Sequence, residues 1–262
     1  MPVLKITPRP SHERGHSDIG WLKSFHTFSV PGYVDPAHMQ FGPLRIINED
    51  RVDAHAGFPL HHHREFEIFS YIVDGELEHK DSMGNAEILK RGDIQLTSAG
   101  TGIRHSEHAH GETPVHFLQI WALPTTPNLP PKYFTRHFSD VEKKDHWVRV
   151  VAPVGFAEKR EDGGSPAPVQ SRLTLYAAIV SPGKEVVRRV GGRKAFVQVV
   201  QRSGYNSGPA KGAAVRVVEG SGGEHILREG DAAYVELDGG GAELEVANAG
   251  EIPAEVLLFD ME

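Results

Sequence analysis

The chain of 262 residues contains no cysteine, which excludes disulfides, thiolate zinc sites, iron–sulfur clusters and cysteine nucleophiles together. Any metal must then be held by histidine and carboxylate. An excess of positive charge is also missing: 28 Lys and Arg stand against 35 Asp and Glu, giving a formal net charge of −7 and a pI near 6.1. No overall basic field draws such a chain to DNA, RNA or an anionic membrane surface, so direct nucleic-acid binding is not expected. Long apolar runs are lacking too. Met1-Pro2-Val3-Leu4-Lys5-Ile6 has no signal-peptide core, and no later stretch is long enough to span a bilayer. The expectation is a cytoplasmic protein, or a nuclear one in a eukaryote, with no membrane partner. Sustained helical periodicity is equally hard to find.

What is present is a series of short β-rich runs punctuated by Gly, Pro, Asp and Asn. The chain reads as all-β with few short helices. Strand candidates in the first half are Leu44–Ile47, Glu67–Val73, Glu76–His79, Ile94–Thr97 and Val115–Trp121, and a further candidate is Trp147–Val151. Asp74-Gly75 is the dipeptide favoured in tight hairpins, and Met83-Gly84-Asn85-Ala86 reads as the next reversal. Leu123-Pro124-Thr125-Thr126-Pro127-Asn128-Leu129-Pro130-Pro131 is too proline-rich for a regular element and reads as an extended linker. The expected organisation is a first domain over 1–123, a linker over 124–146 and a second domain over 147–262. Ile88-Leu89-Lys90-Arg91-Gly92-Asp93 echoes Ile226-Leu227-Arg228-Glu229-Gly230-Asp231 at a similar place in each half, which favours two related β-barrels.

Nine of the sixteen histidines fall between His55 and His116. Within that stretch His61-His62-His63 and His105-Ser106-Glu107 each place two potential ligands at i and i+2, and in an extended strand such residues project to one face. Two such pairs brought together would supply three imidazoles and one carboxylate. That donor set suits Fe(II), Mn(II), Ni(II), Cu(II) or Zn(II), and affinity order alone does not choose among them. Glu67, at His61-x-His63-x-x-x-Glu67, competes with Glu107 for the carboxylate role, and spacing leaves that choice open. A rival triad would join His105 and Glu107 to His116, His137, His146 or His225, but it leaves His61 and His63 without a role. In the second half no histidine pair takes the place of His61 and His63, so that half is expected to hold no metal.

Three linked segments, His61-His62-His63-Arg64-Glu65-Phe66-Glu67, Asp74 to Asn85 and Gly92 to Glu107, together resemble the pirin family of bicupins over about residues 43–122. The resemblance implies two cupin-type β-barrels in tandem, six-stranded relatives of the jelly roll, with one metal in the first. By motif position the family's ligands fall on His61, His63, His105 and Glu107, which favours Glu107 over Glu67, and the metal implied is iron as Fe(II). The family usually has His-Pro-His-Arg-Gly-Phe-Glu. Here His62 replaces the proline and Glu65 the glycine, which bears on substrate preference more than on the metal.

The resemblance further implies a quercetin 2,3-dioxygenase, with quercetin or a similar flavonol and dioxygen as substrates and Glu107 as catalytic base. Phe58, Phe66, Phe69 and Ile103 are candidates for an aromatic substrate pocket by their nearness in sequence. The alternative implied by the same family is a metal-binding transcriptional co-regulator or redox sensor acting on a protein partner.

Overall fold

The computed structural model describes residues 4–156, 164–218, 222–239 and 241–262. Chain contacts divide it into two compact units, one of Gly15–Ser139 with Ala152–Arg172 and one of Met1–Arg14, Asp140–Val151 and Leu173–Glu262. The expected cuts at 123 and 147 are simpler than this interleaving. Within the supposed linker, Lys132–His137 is a strand that pairs with Asp93–Ser98 of the first unit, while Leu4–Arg9 belongs to the second unit, paired with Ala232–Leu237.

The strands up to residue 140 are β1 (Leu4–Arg9), β2 (Gly15–Asp18), β3 (Leu22–His26), β4 (Leu44–Val52), β5 (Gly57–His63) and β6 (Glu67–Asp74), then β7 (Glu76–Asp81), β8 (Ala86–Lys90), β9 (Asp93–Ser98), β10 (Ile103–Ala109), β11 (Val115–Ala122) and β12 (Lys132–His137). After the four-residue helix α1 (Asp140–Lys143) come β13 (Val148–Pro153), β14 (Ala167–Val169), β15 (Leu173–Val180), β16 (Glu185–Val190), β17 (Lys194–Val199), β18 (Ala214–Val218), β19 (Glu224–Arg228), β20 (Ala232–Leu237), β21 (Ala242–Asn248) and β22 (Ala254–Met261). Among the described residues helix is otherwise confined to single 3-10 turns at Ser11–Glu13 and Pro36–His38. No helix of the described residues is long and apolar enough to cross a membrane.

In the metal-candidate unit, one sheet runs β12-β9-β6-β11-β4-β3-β2 and a four-stranded sheet runs β5-β10-β7-β8. The other unit repeats the plan with β20-β17-β22-β15 and β16-β21-β18-β19. The repeated core is thus eight strands per barrel, where six were expected. The sequence echo marks this repeat physically. Asp93 accepts the Lys90 N–H and Asp231 the Arg228 N–H, both at 2.8 Å, across glycines at φ +90° and +87°. One turn chemistry carries the chain from the four-stranded sheet to the larger one in each unit.

Asp74-Gly75 does not make the expected hairpin. β6 and β7 lie in different sheets, and the dipeptide is a corner at which the chain leaves one sheet for the other. Gly75 adopts φ +72°, and a Cβ there would stand 2.3 Å from the Pro114 carbonyl oxygen, so close backbone approach rather than strand pairing demands the glycine. The reversal at 83–86 does form, between β7 and β8, with the Asp81 carboxylate accepting the Met83 and Asn85 N–H groups.

Alternation along the strands sets the barrel interior. In β10, Ile103, His105, Glu107 and Ala109 are buried while Arg104 is exposed. One end of this barrel is apolar, a cluster of Val52, Ile72, Leu77, Leu89, Ala109, Val115 and Phe117, in which each large side chain contributes roughly 1.5–3 kcal/mol. In the second unit, β16 and β21 turn Val186, Val190, Ala242, Leu244 and Val246 into a continuous apolar core. Those side chains carry no ligand atoms.

Candidate metal centre

Among the described residues β5 is the edge of its sheet, paired to β10, with His61 opposite His105 and His63 opposite Ile103. Between His105 and Glu107 the register shifts, so that Glu107 faces Phe58. The extra residue lies at Pro59-Leu60, where an edge strand tolerates both proline and a bulge. The bulge re-aims His61, whose Nδ1–H donates to the Pro59 carbonyl at 2.8 Å. With that proton fixed, the His61 Nε2 lone pair is free, and it lies 3.1 Å from His105 Nε2.

The three imidazoles converge. Ring centres are 4.6 Å apart for His61 and His63, 4.5 Å for His61 and His105, and 4.8 Å for His63 and His105. Their ligand-type nitrogens lie within 4.8 Å of one another. Burial pushes His63 down to about 4, with the neighbouring imidazoles adding to the effect and Glu107 opposing it. Burial likewise lowers His105 to about 3, helped by His61 and His79. Both rings are therefore neutral at pH 7, the state a metal ligand requires. Two nitrogens facing each other at 3.1 Å are stable only with a proton or a cation between them, so the geometry fits a bound divalent metal.

Glu107 is buried beneath the histidines. Ser70 Oγ donates to its Oε1 at 3.1 Å and the Gln119 amide to its Oε2 at 2.8 Å. Each oxygen keeps further lone-pair capacity. Its carboxylate groups with His79 and His105 within 4.8 Å, in a cluster that shares His105 with the first. Glu67 is directed elsewhere, accepting Ser98 Oγ at 2.8 Å and the Gln170 N–H at 3.0 Å. The rival third ligands are also engaged apart from the site: His116 with Glu49 and His137 with Asp93, while His146 and His225 belong to the other unit. His62 is exposed, on the face opposite His61 and His63.

Of the four pocket candidates, Phe69 and Ile103 are buried core residues. Phe58 packs edge-on against Trp21. Phe66 leans on Trp121 at 5.1 Å, and Trp121 stands edge-on to His63 at 4.7 Å. The aromatic wall beside the imidazoles is thus Trp121 with Phe66. Glu65, in the left-handed conformation at φ 58°, turns its carboxylate to the Asn128 N–H at 3.0 and 3.1 Å.

Sequence reasoning missed Ser70, His79, Gln119 and Trp121. A signal existed for two of them: Ser70 and Gln119 interrupt otherwise apolar runs, the kind of break that marks a polar group pointing into a barrel.

Two cupin barrels, one with an imidazole cluster over a buried carboxylate, define a metal-binding bicupin. The family profile described as Pirin matches residues 8–122. A quercetin 2,3-dioxygenase of Escherichia coli K12 is 38% identical over 195 residues, 74% of this chain and 80% of that protein. The crystal structure of YhhW from Escherichia coli superposes with a TM-score of 0.81 at 32% identity, covering 98% of each chain. The nickel(II) complex of that bacterial pirin gives 0.80 at 32% identity over 98% of this chain and 99% of the other. The chain belongs to the pirin family.

Proposed function

We propose that this pirin is a cytoplasmic, metal-dependent dioxygenase that opens the ring of quercetin or a similar flavonol, with Fe(II) as its metal. The observation that carries the reading is the convergence of His61, His63 and His105 above the buried Glu107. The name of the Escherichia coli relative supports the dioxygenase reading, and the nickel complex of YhhW supports a divalent metal.

His61, His63, His105 and Glu107 would hold the metal. When bound, a divalent metal supplies Lewis acidity that lowers the pKa of an enol oxygen. Glu107, loosened from the metal, would take the enol proton as general base, with Ser70 and Gln119 donating to its two oxygens. Trp121 and Phe66 offer a flat apolar wall to the aromatic substrate, and His61, half-buried, marks the side open to solvent.

The test is anaerobic reconstitution with Fe(II), Mn(II), Ni(II), Cu(II) or Zn(II), followed by dioxygen and quercetin. Substrate loss with release of carbon monoxide is expected for at least one metal, and no turnover with any of them would refute the dioxygenase reading.

A further inference from the structure

His79 lies on β7 diagonally across from His105: β10 pairs Glu107 with His79 and His105 with Asp81. Diagonal neighbours on one face of an antiparallel pair are within reach of long and aromatic side chains. The two rings are 5.2 Å apart at 67°, and a ligand-type atom of His79 falls within 4.8 Å of those of His105 and Glu107. His79 is fully buried and its ring is stacked on Tyr133 at 4.8 Å. Its Nε2 lies 3.4 Å from Asp81 Oδ2, and the Asp81 side chain is itself fully buried and accepts from Asn85 and Met83.

Two nitrogens in this group have no hydrogen-bond partner: His79 Nδ1 and His105 Nδ1, both buried. Leaving a buried polar atom unpaired is unfavourable. They are chemically complementary once the protons are assigned. The Asp81 carboxylate fixes the His79 proton on Nε2, leaving a lone pair on Nδ1. His105 with its proton on Nδ1 is the matching donor, and that tautomer frees its Nε2 lone pair towards His61. A histidine that binds metal through one ring nitrogen commonly donates the other N–H to an acceptor that sets its tautomer and orientation.

We propose that His79 is a positioning residue: backed by Asp81, it takes the Nδ1–H of His105 once the metal is bound, a hydrogen bond that neither nitrogen makes in this structure, and so holds His105 with Nε2 directed at the metal. This rests on the reading of His61, His63 and His105 as metal ligands. The usual carboxylate–histidine–metal line is here extended by a second imidazole. His79 does not itself bind the metal.

The test combines Zn(II) affinity, by chelator competition, with imidazole ¹⁵N–¹H spectra of the Zn(II)-loaded full chain, in wild type, His79→Phe and His79→Gln. In wild type, His105 should show a slowly exchanging Nδ1–H and a metal-bound Nε2. His79→Phe keeps a ring against Tyr133 but offers no acceptor, and its affinity should fall about 10- to 100-fold. His79→Gln, whose amide oxygen accepts, should recover much of that loss. Affinity within twofold of wild type in His79→Phe would overturn the proposal, as would coordination of His105 through Nδ1 or of His79 itself. The wild-type spectra keep the question decidable even where a variant fails to fold. Wild type that takes up no metal would refute the ligand assignment and this inference with it, whereas wild-type uptake with unchanged His79→Phe affinity refutes this inference alone.

Discussion

Asp50 is a carboxyl group inside the metal-candidate barrel, on β4 between Phe117 of β11 and Ser24 of β3. Burial pushes it from 3.8 up to about 7; Ser24 Oγ, which donates to it, pulls the other way, and the charges of Glu107 and Glu49 add to the rise. Folding therefore takes up a proton between those two values. The sign follows: a carboxyl whose folded pKa is raised contributes its stability fully below 3.8, and that contribution is lost as pH climbs through about 7. At about 1.4 kcal/mol per tenfold, the difference is on the order of 4 kcal/mol. Asp50→Asn keeps the shape and the hydrogen bond to Ser24 but cannot ionise. In metal-free protein its stability relative to wild type should rise by that order between pH 4 and pH 8. Urea denaturation in a Trp147→Phe background, in which Trp21 and Trp121 report on the same unit as Asp50, measures it across pH. The titrations of His63 and His105 are common to both proteins and drop out of the difference. A stability difference that stays flat from pH 4 to pH 8 would refute the buried, proton-bound Asp50.

Replacement of either His61 or His105 by alanine should weaken metal binding by more than about 100-fold, beyond the 10- to 100-fold typical of outer partners; full occupancy of both variants in elemental analysis would contradict the ligand assignment. Gln119→Leu removes the donor to Glu107 Oε2 and should cost about tenfold in metal affinity with little change in far-ultraviolet dichroism. Gly75→Ala forces a Cβ against the Pro114 carbonyl at a positive φ, and roughly 2–5 kcal/mol of lost stability is expected in urea denaturation; a near-neutral result would mean the corner between β6 and β7 yields easily.

The β class was legible because turn residues interrupt short apolar runs throughout, and the repeat was legible because Gly-Asp closes the same turn in each half. Two of the missed strands, β5 and β12, share a physical cause. β5 is an edge strand with a proline and a bulge, and β12 follows a proline-rich run, so neither carries the clean alternation that strand reading requires. Asp74-Gly75 was misleading for a related reason. A glycine needed for positive φ looks alike in a hairpin and in a corner between sheets, and only the pairing of the flanking strands separates the two. Glu67 and Glu107 could not be ranked by spacing, because both stand at even steps on strands and alternation gives a face without saying what that face meets.

By itself, then, the sequence determined the donor chemistry: with no cysteine, a metal site must be imidazole and carboxylate, and two i, i+2 pairs on strands fix which side chains share a face. The tertiary structure decided which faces meet. Antiparallel pairing of β5 with β10 sets His61 against His105, packing of β6 and β11 behind β10 lays Ser70 and Gln119 under Glu107, and β7 brings in His79. Those contacts join residues up to 44 positions apart at the imidazoles and 37 at the carboxylate. Strand alternation is a local property of the chain, whereas register between strands is settled only by the shared core that they close around.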